Sequence, residues 1–155
     1  TMTDRVEQLA KIRLFAGLKP AALEIVARVA TEETHPKGTK LFGHGDAGDK
    51  LYLIVEGKVR VSREMPGMGE EALAVLSAGH AFGEMSLLDE EPRSADAWVH
   101  ERCRLLTISK YSFDDLLFLH KDLAYEVLWN VVTLLASRLR EANEKLAMLS
   151  MSVKF

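Results

Sequence analysis

Apolar residues recur three apart near the start of the chain, at Val6, Leu9, Ile12 and Phe15, and this spacing predicts a first helix over 4–15. A second helix is predicted over 18–30, with Pro20 in its first turn and Leu23, Val26, Ala27 and Ala30 on its inner face. The pattern then changes to short alternating runs broken by glycine and proline. Strands are expected at 31–35, 40–42, 51–55, 58–64, 72–76, 95–99 and 104–108, with a surface turn over 65–70 around Pro66, Gly67 and Gly69. Beyond Ser109 the helical period returns, in a short helix over 111–119 and a long one over 123–149 that contains neither proline nor glycine. The order of elements predicts an α+β fold: an antiparallel barrel or jelly roll with helices before and after it.

The long helix carries a second pattern. Leu128, Val132, Leu135, Leu139, Ala142, Leu146 and Leu149 repeat at intervals of 4, 3, 4, 3, 4 and 3 residues, a heptad seam. Such a stripe either docks on the roll or pairs with a second copy of the helix, and apolar spacing alone does not separate the two.

With 155 residues, 48% of them hydrophobic and 28% charged, the chain suits one globular domain rather than two. Its net charge of −3 gives no basic face of the kind nucleic-acid binding needs. The single cysteine, Cys103, lies in the apolar run CRLLTI and is expected to be a buried, reduced thiol. No apolar run approaches the roughly 20 residues that span a bilayer, and no signal peptide opens the chain, so a cytoplasmic protein is expected. Thr1 before Met2 reads as a remnant, with Met2 the natural start.

The stretch FGEMSLLDEEPRSA, residues 82–95, holds the candidate chemistry. Gly83 permits a tight turn and close approach to a ligand, and the segment from Met85 can open a short helix whose first N–H groups point at an anion. Arg93 adds a planar, permanently charged fork suited to two phosphate oxygens. Glu84 would be repelled by phosphate, which leaves a neutral hydroxyl such as a ribose 2′-OH as its partner. Phosphate with ribose points to a nucleotide. The alternative is a structural Glu84–Arg93 ion pair around a plain turn glycine, and Ser94 alone could equally bond its own backbone.

This stretch resembles the phosphate-binding cassette of cyclic nucleotide-binding domains, the regulatory module of catabolite-activator-type bacterial regulators, cyclic-nucleotide-dependent kinases and gated channels. Gly45, Asp46, Gly48, Asp49, Tyr52, Ile54, Gly57 and Val59 agree with the family's glycine turn, strand, glycine and strand. The resemblance implies one cyclic nucleotide-binding domain over 1–155: helices at 4–30, a roll at 31–109 with its cassette at 82–95, and helices at 111–149. It implies that Glu84 holds the ribose 2′-OH, that Arg93 and Ser94 hold the cyclic phosphate, and that N–H groups around Gly83, Met85, Ser86 and Ala95 complete the cradle. The ligand expected is cAMP, with cGMP or a cyclic dinucleotide as alternatives, and no cofactor or metal. The resemblance also favours a homodimer through the long helix and places Asn143, beside seam residue Ala142, near the adenine, partly from the neighbouring subunit. In those regulators a DNA-binding domain follows the long helix. Only residues 150–155 follow it here, so a free-standing receptor without direct DNA binding is expected, acting on an unidentified effector by moving its terminal helices.

Two departures bear on ligand binding. Asp96 replaces a hydroxyl residue just after the Arg93-Ser94-Ala95 run, and its carboxylate must point away if phosphate is to bind. Trp98, on the same strand face by alternation, is expected to pack under the long helix or to serve as a partner hot spot. A module that kept the fold and lost the ligand is thus the rival interaction reading. The enzyme reading is weaker: Gly38 and His44 begin a cupin metal motif, but Asp46 stands at the second histidine and Lys50 or Leu51 at the glutamate.

Overall fold

The structure is a computed structural model and describes residues 1–153; Lys154 and Phe155, the last of the residues expected after the heptad helix, lie outside the described residues. Helix α1 (Met2–Ala10) starts on a capping box, in which Thr1 Oγ1 accepts from the Asp4 amide at 3.2 Å and donates to the Asp4 carboxylate at 2.8 Å. It stops earlier than the spacing predicted. The Arg13 amide donates to Gly79 O instead of continuing the helix, and a 3₁₀ turn (Arg13–Phe15) follows. Leu9, Ile12 and Phe15 are nevertheless buried, because a three-residue spacing also serves a 3₁₀ turn. Helix α2 (Pro20–Val29) begins at Pro20 and buries Leu23, Val26 and Ala27, as its pattern predicted.

Six strands follow: β1 (Thr31–His35), β2 (Lys40–Phe42), β3 (Lys50–Met65), β4 (Gly69–Leu76), β5 (Ala81–Phe82) and β6 (Asp96–Ser109). All pair antiparallel in the order β1-β6-β3-β4, with β2 on β6 and β5 on β3. The result is an open, jelly-roll-like sheet rather than a closed barrel. Two pairs of predicted strands are each one long strand. In β3 the division was read at Gly57, which sits at φ 93° among register shifts from Ile54 to Val59. A Cβ there would meet Arg102 O at 2.2 Å, so this glycine marks a bulge and a close backbone approach, not a chain reversal.

Strand alternation gives the sheet two apolar faces. Leu51, Leu53, Leu106 and Ile108 face the helices, and Tyr52, Ile54, Cys103 and Leu105 face the inside of the roll. The Cys103 thiol donates to Lys58 O and Glu101 O, and burial pushes its pKa up, consistent with an unreactive reduced group.

Helix α4 (Lys110–Leu119) is capped by Ser109 Oγ and buries Phe113 and Leu116. Helix α5 (Lys121–Val153) is seated by Leu123, Val127 and Val131, at about 1.5–3 kcal/mol for each fully buried side chain. Asn130 Nδ2 also donates to Leu14 O and Ala16 O, both at 2.9 Å, which ties α5 to the 3₁₀ turn. The heptad seam lies beside this docked stripe. Leu128, Val132, Leu139, Leu146 and Leu149 are exposed, and Leu135 alone of the seam leucines rests against the core. Among the described residues no helix is long and apolar enough to cross a membrane.

Candidate functional site

The site is built where β5 runs into helix α3 (Glu84–Asp89). Gly83 caps that helix at φ 85°, a conformation L side chains rarely adopt, and a Cβ on it would lie 2.5 Å from Arg93 Nη1. Both the turn and the approach of the arginine therefore require glycine. The first N–H groups of α3, from Glu84 to Ser86, have no intrahelical acceptor.

Arg93 is 3% exposed. Its Nη1 donates to Gly83 O at 2.8 Å and its Nη2 to Lys50 O at 2.7 Å, while among the described residues its buried Nε has no hydrogen-bond partner. The guanidinium carbon lies 4.2 Å from the Phe42 ring centroid and 5.9 Å from that of Tyr52. Tyr52 in turn stacks on Phe82 with centroids 4.9 Å apart. Burial lowers the Arg93 pKa from its ordinary value, opposed by Tyr52 and the carboxylates of Asp49, Glu84 and Asp46. Guanidinium remains charged at neutral pH, so the floor of the site is a desolvated cation on an aromatic support.

A loop locks the arginine's backbone. Gly45 N donates to Arg93 O and Arg93 N to Asp46 O, both at 2.8 Å. The Asp46 side chain caps Gly43 N, and the Asp96 carboxylate accepts from His44 N at 2.6 Å. Asp96 is thus turned away from the cavity and used as a backbone cap, which removes the repulsion its sequence position raised. Gly48 completes the fit, since a Cβ there would lie 2.2 Å from Ser86 Cβ.

A cavity of about 220 Å³ opens over these groups. Its lining brings together Gly83, Glu84, Met85, Ser86, Arg93, Ser94 and Ala95, seven of the eight residues expected from the sequence. Phe42, Phe82, Val61, Ala74 and Leu76 add an apolar wall. Asn143 is exposed on α5, outside this lining. Arg138 of α5 lines the cavity instead, pairing with the Glu84 carboxylate through Nη1. No signal in the sequence singled out Arg138 or Phe42; each reaches the cassette from a distant element. Trp98 departs from the first of its two expected roles. Its strand neighbours are Lys40 and Arg60, and the Lys40 ammonium lies 5.3 Å from its ring centroid, so it packs under a lysine of β2 rather than under the long helix.

The structure thus sets a buried arginine and a carboxylate beside a capped turn on a jelly-roll-like sheet, around a cavity whose cation suits a small anion. The family described as "Cyclic nucleotide-binding domain" matches residues 32–120, more than half of the chain, and the chain belongs to that family. It is 42% identical over 137 residues to the cyclic AMP receptor protein of Thermus thermophilus, covering 88% of this chain and 62% of that protein. It is 29% identical to the CRP-like cAMP-activated global transcriptional regulator of Mycobacterium tuberculosis, covering 91% and 61%. Among solved structures, the Thermus thermophilus catabolite activator protein superposes with a TM-score of 0.78 at 40% identity, over 89% of this chain and 63% of that one. A cyclic nucleotide-binding domain from Methylobacillus flagellatus gives 0.80 at 29% identity, over 93% and 81%. The chain spans about three fifths of the length of these two curated relatives.

Proposed function

We propose that the chain is a non-catalytic receptor module of the cytoplasm that binds a cyclic mononucleotide, cAMP in preference to cGMP, and works as a homodimer through α5. One observation carries the reading: Arg93, buried and charged at the floor of an apolar-walled cavity, with a donor left unpaired. A buried donor without an acceptor is costly, and an anion over the cassette would reward the arrangement. Ser94 and the N–H groups of Met85, Ser86 and Ala95, whose residues line the same cavity, would share the phosphate. Glu84 would take the ribose hydroxyl while keeping Arg138, since a carboxylate accepts several hydrogen bonds. The 42% identity to a protein named as a cyclic AMP receptor supports the choice of cAMP. Asn143 would reach the purine from the second subunit, its amide matching the donor and acceptor pattern of adenine.

Binding would signal by population shift. Glu84 and Arg138 join the cassette to α5, so a ligand that favours one cassette geometry favours one placement of that helix, which an effector protein then reads. Calorimetry with cAMP and cGMP on the protein and on Arg93→Ala tests this. Hydrogen bonds to charged groups are worth about 1.5–3 kcal/mol each, so losing a bidentate pair weakens binding by about two to four decades. Near-normal affinity in the variant overturns the assignment.

A further inference from the structure

Lys110 stands at the junction of β6 and α4, more than a dozen residues from any cassette residue in sequence, yet it holds both halves of the site. Its backbone N–H donates to Asp49 O at 2.9 Å, and Asp49 immediately precedes Lys50, whose carbonyl grips Arg93. Its side chain crosses to the cassette helix, where Nζ donates to Leu87 O at 3.1 Å. The same ammonium pairs with Glu90 at 3.7 Å and with Asp114, one turn along α4, at 3.3 Å.

The Leu87 carbonyl is available for a physical reason. In a continuing helix it would accept from Glu91 N. The chain instead turns left-handed at Glu90, φ 61°, the one non-glycine residue with positive φ among those described. Glu91 N then donates to the Asp89 side chain at 3.0 Å, and the end of α3 leaves its carbonyl to an outside donor. A left-handed glutamate costs energy, and that geometry both frees the carbonyl and brings the Glu90 carboxylate to the lysine. Leu87 itself is buried in the same apolar cluster as Phe113, Leu116 and Leu123 of α4 and α5.

We propose that Lys110 is a positioning residue: a staple that makes the cassette helix, the Arg93-holding loop and the start of α4 move as one, so that ligand capture at Glu84 and Arg93 is passed to α4 and α5. It does not line the cavity. The inference rests on the nucleotide-receptor reading above. It separates Lys110 from a merely structural residue by the sign of its effect. If the staple makes the ligand work against the helices, cutting it relieves that work, and affinity stays level or rises while the helix response disappears.

Hydrogen exchange with and without saturating cAMP, alongside calorimetry, tests this on the full chain with Lys110→Met and Lys110→Arg. The expected result for Lys110→Met is cAMP affinity equal to the parent's or up to about threefold tighter. The ligand-induced change in exchange over 110–131 falls to less than half of its parental size, and Lys110→Arg, which keeps a donor, restores it. A full response in Lys110→Met, or an affinity that falls together with the response, overturns the proposal. Should Lys110→Met melt too low to measure, Lys110→Ala, which also removes the donor and the charge, replaces it under the same criteria. A ligand-free arm stands apart from the nucleotide reading: cutting the staple must raise exchange over 84–91 and over 110–119 together, and a rise in only one of them also overturns it. Failure of the unmodified protein to bind cAMP or cGMP would remove the receptor reading, while this arm would still decide whether Lys110 joins the two elements.

Discussion

Single residues in the cassette hold the structure together, and the receptor reading gives some of them a second role. Glu84 is 5% exposed and holds Arg138, yet in the receptor reading the same carboxylate takes a ribose hydroxyl. Glu84→Gln keeps the shape and removes the charge, so the loss should depend on the ligand. With cAMP the expected cost is about tenfold to a hundredfold in affinity, as for one hydrogen bond to a charged group. With 2′-deoxy-cAMP the variant and the parent should bind within about threefold of each other, because the hydroxyl is already missing. Calorimetry with the two ligands decides it, and equal losses would take Glu84 off the ribose. Gly83 and Gly48 show why this part of the site was legible in sequence. Their roles are set by backbone angle and by the space left for Arg93 and Ser86, and glycine satisfies such demands where other residues do not.

Elements were legible where pattern and length sufficed. Strands β1 and β2 and helix α2 follow their alternation or period closely, and the cassette is contiguous in the chain. Strand β5 has two residues, too few for any period, and β3 was divided because Gly57 resembles a turn when only the bulge in three dimensions explains it. Phe42 and Arg138 escaped because their relation to the cassette exists only after β2 pairs and α5 docks. The sheet also carries a polar joint with a definite pH dependence. Glu33 of β1 lies 2.8 Å from the His35 ring nitrogen, 3.2 Å from Lys50 Nζ and 3.2 Å from Thr107 Oγ1, linking β1 to β3 and β6. Burial alone would raise its pKa, but the contacts with His35, Lys50 and Thr107 outweigh it and hold the carboxyl below the ordinary value. A lowered folded pKa means that the stabilisation is complete above the ordinary carboxylate range and is lost as pH falls through the folded value. Discounted for partial solvent exposure, the joint is worth about 1 kcal/mol, or about 2–4 °C in Tm for a domain of this size. Melting curves of the parent and Glu33→Gln should therefore differ by that amount at neutral pH and converge on acidification. A gap that widens in acid contradicts the assignment.

At the scale of the whole molecule, α5 presents two apolar faces, one buried and one exposed. The stripe of Leu123, Val127 and Val131 binds the helix to its own domain, whereas Leu139 and Leu146 are 62% and 64% exposed on the neighbouring face. An exposed heptad seam on a helix that runs past the domain matches a coiled coil with a second copy. Leu135 touches the core, so charging it would confuse folding with association. Leu139→Asp with Leu146→Asp avoids that confusion, and the expected product is a monomer by light scattering with an unchanged melting transition. A double variant that remains dimeric would place the interface elsewhere. The monomer also tests Asn143, which lies five residues beyond Arg138, about 7.5 Å further along the helix, and faces solvent in the single chain. If its amide reads adenine from the second subunit, dissociating the dimer removes it from the site without altering the cassette. Affinity for cAMP should then fall by about tenfold or more, cGMP binding should change little, and the loss should match that of Asn143→Ala in the dimer. A monomer that keeps its full preference for cAMP would mean that the base is read within one subunit, by the wall of Val61, Ala74 and Leu76 together with Arg138.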